Sequence, residues 1–176
     1  GHVAGRLAAA HPDRTRIAIK MPDGPDVHVA MLAAERAGLV AVGIGPRAGA
    51  HETDHLITRT GARTVLEALP GPDDLSPIAS TERTPLDDRE LWFLNSTSGT
   101  TGLPKCVMHQ QRRWFAFHEL AQEAAEFGDN EVCMSLLPAP FGFGLWTAHF
   151  TPAILGAPCV LLERFSPEAA RSEEHT

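Results

Sequence analysis

The stretch Leu39–Ile44 (Leu-Val-Ala-Val-Gly-Ile) carries no polar side chain. A segment that is apolar at every position, rather than at every second one, has to be covered on both faces. Strands of that kind belong to parallel sheets flanked by helices. The surroundings agree. Upstream, Val27, Ala30, Met31 and Ala34 recur at helical spacing, with Asp26 expected to cap that helix and Gly38 to end it. Downstream, a helix is expected over His51–Thr60, with Leu56, Ile57 and Thr60 on one side and Gly61 as its stop. Short strands at Ile17–Ile19, Thr64–Leu66, Leu91–Leu94, Val132–Leu137 and Cys159–Leu162 continue the alternation. So do helices at Val3–Ala10 and Arg112–Phe127, the latter with Phe117, Leu120, Ala121 and Ala124 inward and Gly128 as cap. Pro70–Asp88, rich in Pro, Asp and Ser, reads as a mobile surface loop. The expected fold class is α/β, helices layered on a mainly parallel sheet.

Charge and length narrow the function. With 15 basic against 22 acidic side chains the net charge is −7, so a phosphate backbone would be repelled and nucleic acid is not an expected partner. No apolar stretch approaches the length of a bilayer span, so no membrane insertion is expected. Three widely spaced cysteines, Cys106, Cys133 and Cys159, make no complete disulfide framework and point to reduced thiols in a cytoplasm.

The chemistry concentrates in Asn95–Lys105, Asn-Ser-Thr-Ser-Gly-Thr-Thr-Gly-Leu-Pro-Lys, which follows a strand directly. Five hydroxyls, two glycines and one cation occupy this segment. Glycines allow close backbone approach to an anion, successive N–H groups form an anion-binding concavity, and hydroxyls donate to phosphate oxygens. Lys105 is one of only two lysines, beside Lys20, among 15 basic residues. A lysine there suits a site wanting a compact point charge rather than a planar fork. No Gly-Lys-Ser/Thr follows the glycines, so a P-loop kinase or GTPase is disfavoured.

From Leu94 to Lys105 the chain resembles the signature loop of the adenylate-forming superfamily: acyl-CoA synthetases, aryl-CoA ligases, luciferases and peptide-synthetase adenylation domains. Asp13–Leu66 is similar to the region upstream of that loop, and Leu137–Gly144 (Leu-Pro-Ala-Pro-Phe-Gly-Phe-Gly) resembles the next motif, where the acyl pocket begins. The resemblance implies a partial N-terminal domain over residues 1–170 of an ATP-dependent carboxylic acid–CoA ligase. It implies ATP and Mg2+ held at Thr97, Ser98, Gly99, Thr100, Thr101, Gly102 and Lys105. An acid pocket would be entered past Phe141, Gly142, Phe143 and Gly144, near Trp146, and coenzyme A would be the acceptor. The partner is a small-molecule carboxylic acid. The terminal Arg171–Thr176 (Arg-Ser-Glu-Glu-His-Thr) looks like the translation of a sequencing adapter and is set aside as a non-native tail. The superfamily's adenine, ribose and catalytic-lysine motifs do not occur in this sequence, so no catalytic residue is assigned and the chain alone is expected to be inactive.

Departures bear on specificity. Cys106 stands where the family usually has glycine, Gln110-Gln111 where it often has Thr-His, and Phe141 where histidine is frequent, which points to an apolar or aromatic acid. Beside Lys105, the Cys106 thiol is open to a lowered pKa, though simple replacement of a small residue is the plainer reading. An amino-acid adenylation domain is the alternative within the superfamily, but its Phe-Asp pair is absent. A non-catalytic nucleotide-binding module is a further possibility. Outside the superfamily, His51-Glu52-Thr53-Asp54-His55 matches the His-Glu-x-x-His pattern of zinc metallopeptidases, with Glu52 as general base, though no third ligand is identifiable and no metal site is expected. His109 and His118 are expected at the surface or in hydrogen-bonded core positions, and Trp114, Phe115 and Phe117 as helix packing.

Overall fold

The computed structural model describes residues 2–70, 84–97, 102–128 and 130–173. Among them, α1 (His2–Ala10), β1 (Arg16–Ile19), α2 (Pro25–Arg36), β2 (Val40–Gly43), α3 (Ala50–Thr60), β3 (Val65–Leu66), β4 (Phe93–Ser96) and β5 (Cys106–His109) alternate along the chain. The strands lie in the order β3-β1-β2-β4-β5. β1 pairs in parallel with β2 and β3, and β2 with β4, through registers such as Ile17 with Ala41 and Ala41 with Phe93. β5 runs antiparallel to β4, Phe93 facing His109 and Asn95 facing Val107.

Alternation of side chains explains the layers. Ile17, Ile19, Ala41 and Phe93 point to the face covered by α1 and α2. Ala18, Val40, Val42 and Leu94 point to the other, against Leu56 of α3. Helices on both faces are what an all-apolar strand requires, and the expected α/β class with a mainly parallel sheet is found. After the sheet, α4 (Gln111–Ala125) leads to β6 (Cys133–Ser135). A helical crossover follows, α5 (Gly142–Leu145), a π turn (Trp146–Phe150) and α6 (Thr151–Leu155), and ends at β7 (Cys159–Leu161). β6 and β7 pair in parallel as a separate small sheet, and α7 (Pro167–Glu173) closes the described chain.

Several expectations shift. α2 begins at Pro25 with Gly24 as its cap, and Asp26 sits inside the first turn with no capping bond; proline's fixed φ pre-sets the first helical position. Gly38 and Gly61 adopt the left-handed conformation at the helix ends as expected. α4 instead ends on Glu126 in that conformation (φ 54°), not on Gly128. Its inward stripe is Trp114 and His118, with Ala121 packed beside them, while Phe117 and Leu120 are 50% and 67% exposed. The cause is Trp114, whose ring lies edge-on to Trp92, Phe93 and Phe150 and sets the rotation of the helix. Most of the expected Pro70–Asp88 loop falls outside the described residues, but Leu86 is buried in the core. β5 and the 142–155 crossover were not foreseen; the glycines and Pro152 of the crossover mask its helical character.

Candidate functional site

The parallel strands β1, β2 and β4 all deliver their carboxyl ends to one edge of the sheet, the edge where open α/β folds bind ligands. Three connections meet there: Lys20–Gly24 after β1, Ile44–Arg47 after β2, and the Gly- and hydroxyl-rich segment after β4. β5 turns this last segment into the loop of a hairpin. Its mouth is closed by the Thr97 N–H, which donates to the Lys105 carbonyl at 2.9 Å. Thr97 and Lys105 thus stand side by side, both exposed. Gly102 holds φ +139°, a backbone that side chains rarely adopt, with nothing within 4 Å of the place a Cβ would occupy. Ser98, Gly99, Thr100 and Thr101 lie outside the described residues.

The hairpin stem is pinned from two sides. From α3, His55 Nε2 lies 3.2 Å from the Pro104 carbonyl, next to Lys105. From α4, the Trp114 indole donates to His109 Nδ1 at 3.0 Å, and His109 Nε2 meets Asn95 Oδ1 at 2.6 Å. Indole nitrogen can only donate, so Nδ1 accepts and the proton of His109 sits on Nε2. Burial, and then the charge of Arg113, hold His109 below the ordinary histidine range, consistent with a neutral ring that donates to Asn95. Glu35 of α2 steadies the same corner by accepting from Trp92 Nε1 and Gln111 Nε2.

The second motif is seated against this edge at Ala139–Gly142 and folds tightly on itself at Gly144. A Cβ on Gly43 would meet the Pro140 carbonyl at 2.4 Å, and one on Gly144 would meet the Pro138 carbonyl at 2.1 Å. Asp23 Oδ1 accepts from the Ala139 N–H at 2.8 Å; partial burial raises its pKa, opposed by that bond and by Arg47. The ring of Phe141 lies over Gly45, and Asn95 Nδ2 lies 3.3 Å from where a Gly142 Cβ would stand. Gly144 is buried and Phe143 is 59% exposed. Beside the motif opens a cleft of about 900 Å3 lined by Asp23, Arg47, Leu137, Pro138, Glu163 and Phe165 among others.

The structure therefore brings Thr97, Gly102 and Lys105 to one hairpin and joins it, through Asn95, to Phe141–Gly144. Asn95, His109, Asp23 and Gly43 carry this arrangement; the sequence placed Asn95 in the loop and His109 at the surface or in a hydrogen-bonded position, but gave none of the four this role. A histidine five residues before a tryptophan at a helix start was the available signal for His109. Two alternatives that the sequence left open fall away. The Cys106 thiol is pushed up, not down, because burial outweighs the cation Arg59. The zinc reading fails because His51 is exposed and His55 is turned to Pro104. Among the described residues no group of three His, Cys, Asp or Glu could hold a metal ion. Nor, among those residues, is any helix long and apolar enough to cross a membrane.

Comparison with known proteins places the chain. The family model described as "AMP-binding enzyme" matches residues 2–174. The chain is 28% identical, over 92% of its length, to 4-hydroxybenzoate–CoA/benzoate–CoA ligase of Rhodopseudomonas palustris, and spans 35% of that protein. It is 26% identical, over 90% of its length, to p-hydroxybenzoic acid–AMP ligase FadD22 of Mycobacterium marinum, and spans 26% of it. Its fold superposes with a TM-score of 0.84 on o-succinylbenzoate coenzyme A synthetase (MenE) of Bacillus subtilis, solved with ATP and magnesium ion. That match has 19% identity and covers 99% of this chain and 51% of the other. The chain thus spans about a third or less of the curated relatives it matches.

Proposed function

The chain belongs to the family of AMP-binding enzymes, and from that premise we propose that it is the phosphate-holding part of an ATP-dependent aromatic carboxylic acid–CoA ligase. In this reading a carboxylate oxygen attacks the α-phosphorus of ATP, the bond to the β-phosphate breaks, and pyrophosphate leaves an acyl-adenylate. The coenzyme A thiol then displaces AMP to give the thioester. The observation that carries the reading is the hairpin mouth, where the bonded pair Thr97 and Lys105 offers a hydroxyl and an ammonium to solvent at the carboxyl edge of a parallel sheet. From sequence, Ser98, Gly99, Thr100, Thr101 and Gly102 supply the remaining donors between them. Such aligned donors stabilise the charge that gathers on a pyrophosphate leaving group, and Mg2+, brought in with the nucleotide, would add further neutralisation of that charge.

Phe141, Gly142, Phe143 and Gly144 are assigned to the entrance of the acid pocket. The relatives' names, both carrying a hydroxybenzoate, and the aromatic side chains at positions 141 and 143 support an aromatic acid. An amino-acid adenylation domain fits less well: the aspartate it needs next to Phe141 would have to displace the Asn95 amide, 3.3 Å from a Cβ at position 142. The relative named as an acid–AMP ligase keeps one second reading, in which the acyl-adenylate goes to an acceptor other than coenzyme A. The compartment is cytoplasmic in either reading.

The test is acid-dependent exchange of pyrophosphate into ATP by the intact gene product across a panel of carboxylic acids, followed by thioester formation with coenzyme A. Exchange driven by benzoate-type acids is expected, and its loss when Lys105 and Thr100 are both replaced by alanine. Full exchange in that double variant would overturn the assignment. The 176-residue chain alone is expected to form no acyl-CoA.

A further inference from the structure

Asn95 occupies an unusual junction. It is the β4 residue two positions before the hairpin mouth, and its side-chain amide also covers Gly142 at the start of the acid-side motif. An asparagine amide can present either end, and the two ends have opposite hydrogen-bonding character. Here Nδ2 donates to the Ser96 carbonyl at 3.2 Å and lies on Gly142, while Oδ1 faces His109 Nε2 at 2.6 Å. His109 has one way to satisfy both neighbours. Its Nδ1 must accept from the Trp114 indole, which leaves Nε2–H to donate to Asn95. Its ring is stacked on Phe93 and edge-on to Trp114, so it has little freedom to turn away.

We propose that His109 is a positioning residue: by donating from Nε2 it fixes which way the Asn95 amide faces, and so couples the mouth of the phosphate hairpin to Gly142 of the acid-side motif. The inference rests on the phosphate-site reading above for its functional meaning, but the coupling itself is a property of this chain. Lys105 and Gly142 belong to different loops; the Asn95 amide lies over Gly142, 3.3 Å from where a Cβ would stand, and Asn95 reaches Lys105 through two ladder steps, Ser96 with Cys106 and Thr97 with Lys105. If the amide reversed, its NH2 would face the His109 N–H, donor against donor, and its oxygen would face the Ser96 carbonyl. Both contacts would be lost together.

The substitutions that test this differ in which nitrogen they replace. His109→Gln keeps an amide N–H where Nε2 stands; His109→Asn is too short to reach Asn95; His109→Phe keeps the ring alone. In the 176-residue chain, nitrogen-15 NMR is expected to find His109 as the neutral Nε2–H tautomer. The Asn95 side-chain and Gly142 backbone amide signals are expected to move in His109→Phe and His109→Asn and to return in His109→Gln. Should the Phe variant fail to fold, Asn95→Ala carries the test, and the same Gly142 displacement is expected with the Trp114–His109 bond intact. An Nδ1–H tautomer, or a Gly142 signal indifferent to these changes, would overturn the coupling. With Mg-ATP as probe, dissociation constants are expected to rise about tenfold in His109→Phe and less than about twofold in His109→Gln; equal weakening in both would reduce His109 to a packing role. A wild-type chain that binds no Mg-ATP would count against the phosphate-site reading, and the NMR comparison would still decide the coupling.

Discussion

The two loops at the carboxyl edge of the sheet are held in opposite ways. Among the described residues, the hairpin is held at its base by the Thr97–Lys105 bond, by His55 at Pro104 and by His109 at Asn95. The Thr97 and Lys105 side chains there are exposed. The acid-side segment is wedged at its centre, the Pro140 carbonyl against Gly43 and the Ala139 N–H on Asp23, and packs on itself where Gly144 meets the Pro138 carbonyl. On the phosphate-site reading proposed above, a loop that offers donors to a charged ligand gains from a rigid base. A segment that must present a shaped wall gains from being immovable. The difference predicts that mutations in the second loop cost stability, whereas mutations in the first cost affinity.

The largest effect is expected at Gly144. A Cβ there would meet the Pro138 and Leu137 carbonyls at 2.1 and 2.7 Å, both backbone atoms that no side-chain rotation can move. Gly144→Ala should therefore cost about 3 kcal/mol or more, at the upper end of overpacking penalties, read as a lowered urea midpoint. A variant as stable as wild type would break the contrast between the loops at once.

Acid comes next. The crossover that follows the second loop carries His149, 8% exposed, whose Nδ1 lies 3.2 Å from Nδ1 of His28 on α2. The ring centroids are 5.3 Å apart with planes 10° from parallel, so the rings meet through their nitrogens, and one donates while the other accepts. Burial, with His28 adding to it, holds His149 down to about 4, and burial lowers His28 as well. A histidine with a folded-state pKa below its unfolded value near 6.5 supports the fold while neutral. That support is complete above 6.5 and is lost as pH falls toward 4. Its full size is about 3 kcal/mol. Urea midpoints should fall over this window, and His149→Phe should flatten the fall. An unchanged profile in that variant would remove the histidine pair from the account.

How much of this was legible beforehand follows from the range of the interactions. The central strand, its flanking helices and the Gly- and hydroxyl-rich loop could be read because each is written in consecutive residues. β5 could not: Cys-Val-Met-His is strand-like only because Asn95 and Phe93 lie opposite it. The inward face of α4 was misread by one stripe, since the period alone does not say that Trp114 outbids Phe117 for the aromatic cluster. The wedge of Pro138–Pro140 on Gly43 joins residues almost a hundred positions apart, and a glycine inside an apolar run gives no hint of it. Of the phosphate-loop residues named from sequence, Thr97, Gly102 and Lys105 fall at the hairpin. The role of His55 was hidden behind a zinc pattern that its contact with Pro104 dissolves.

A smaller stability effect is expected where the two upstream connections meet the second loop. Asp23→Ala leaves the Ala139 N–H without its acceptor and should cost about 1–2 kcal/mol. The raised pKa of Asp23 gives the opposite pH sense from His149. Burial disfavours its charged form in the folded protein, so its ionisation weakens the fold as pH rises through the carboxylate range. Asp23→Asn, which keeps an oxygen for Ala139, should lose less stability than Asp23→Ala and should remove this pH dependence. Equal losses in both would mean that the Ala139 bond contributes nothing.

The smallest stability effect, and the sharpest test of the contrast, belongs to Lys105. Its side chain is exposed and the structure gives it no side-chain hydrogen bond or ion pair among the described residues; what it contributes to the hairpin is its backbone carbonyl, which any residue supplies. Lys105→Ala should thus leave the urea midpoint within about 0.5 kcal/mol of wild type. The same substitution removes a cation from the mouth of a loop otherwise made of neutral donors, so affinity for Mg-ATP should drop at least tenfold and lose part of its salt dependence. Lys105→Arg separates charge from shape: a planar guanidinium restores the charge but not the compact geometry, and affinity should recover only in part. If Lys105→Ala instead lowered stability as much as Asp23→Ala does, the hairpin would be another wedged segment, and the division of labour between the two loops would fail.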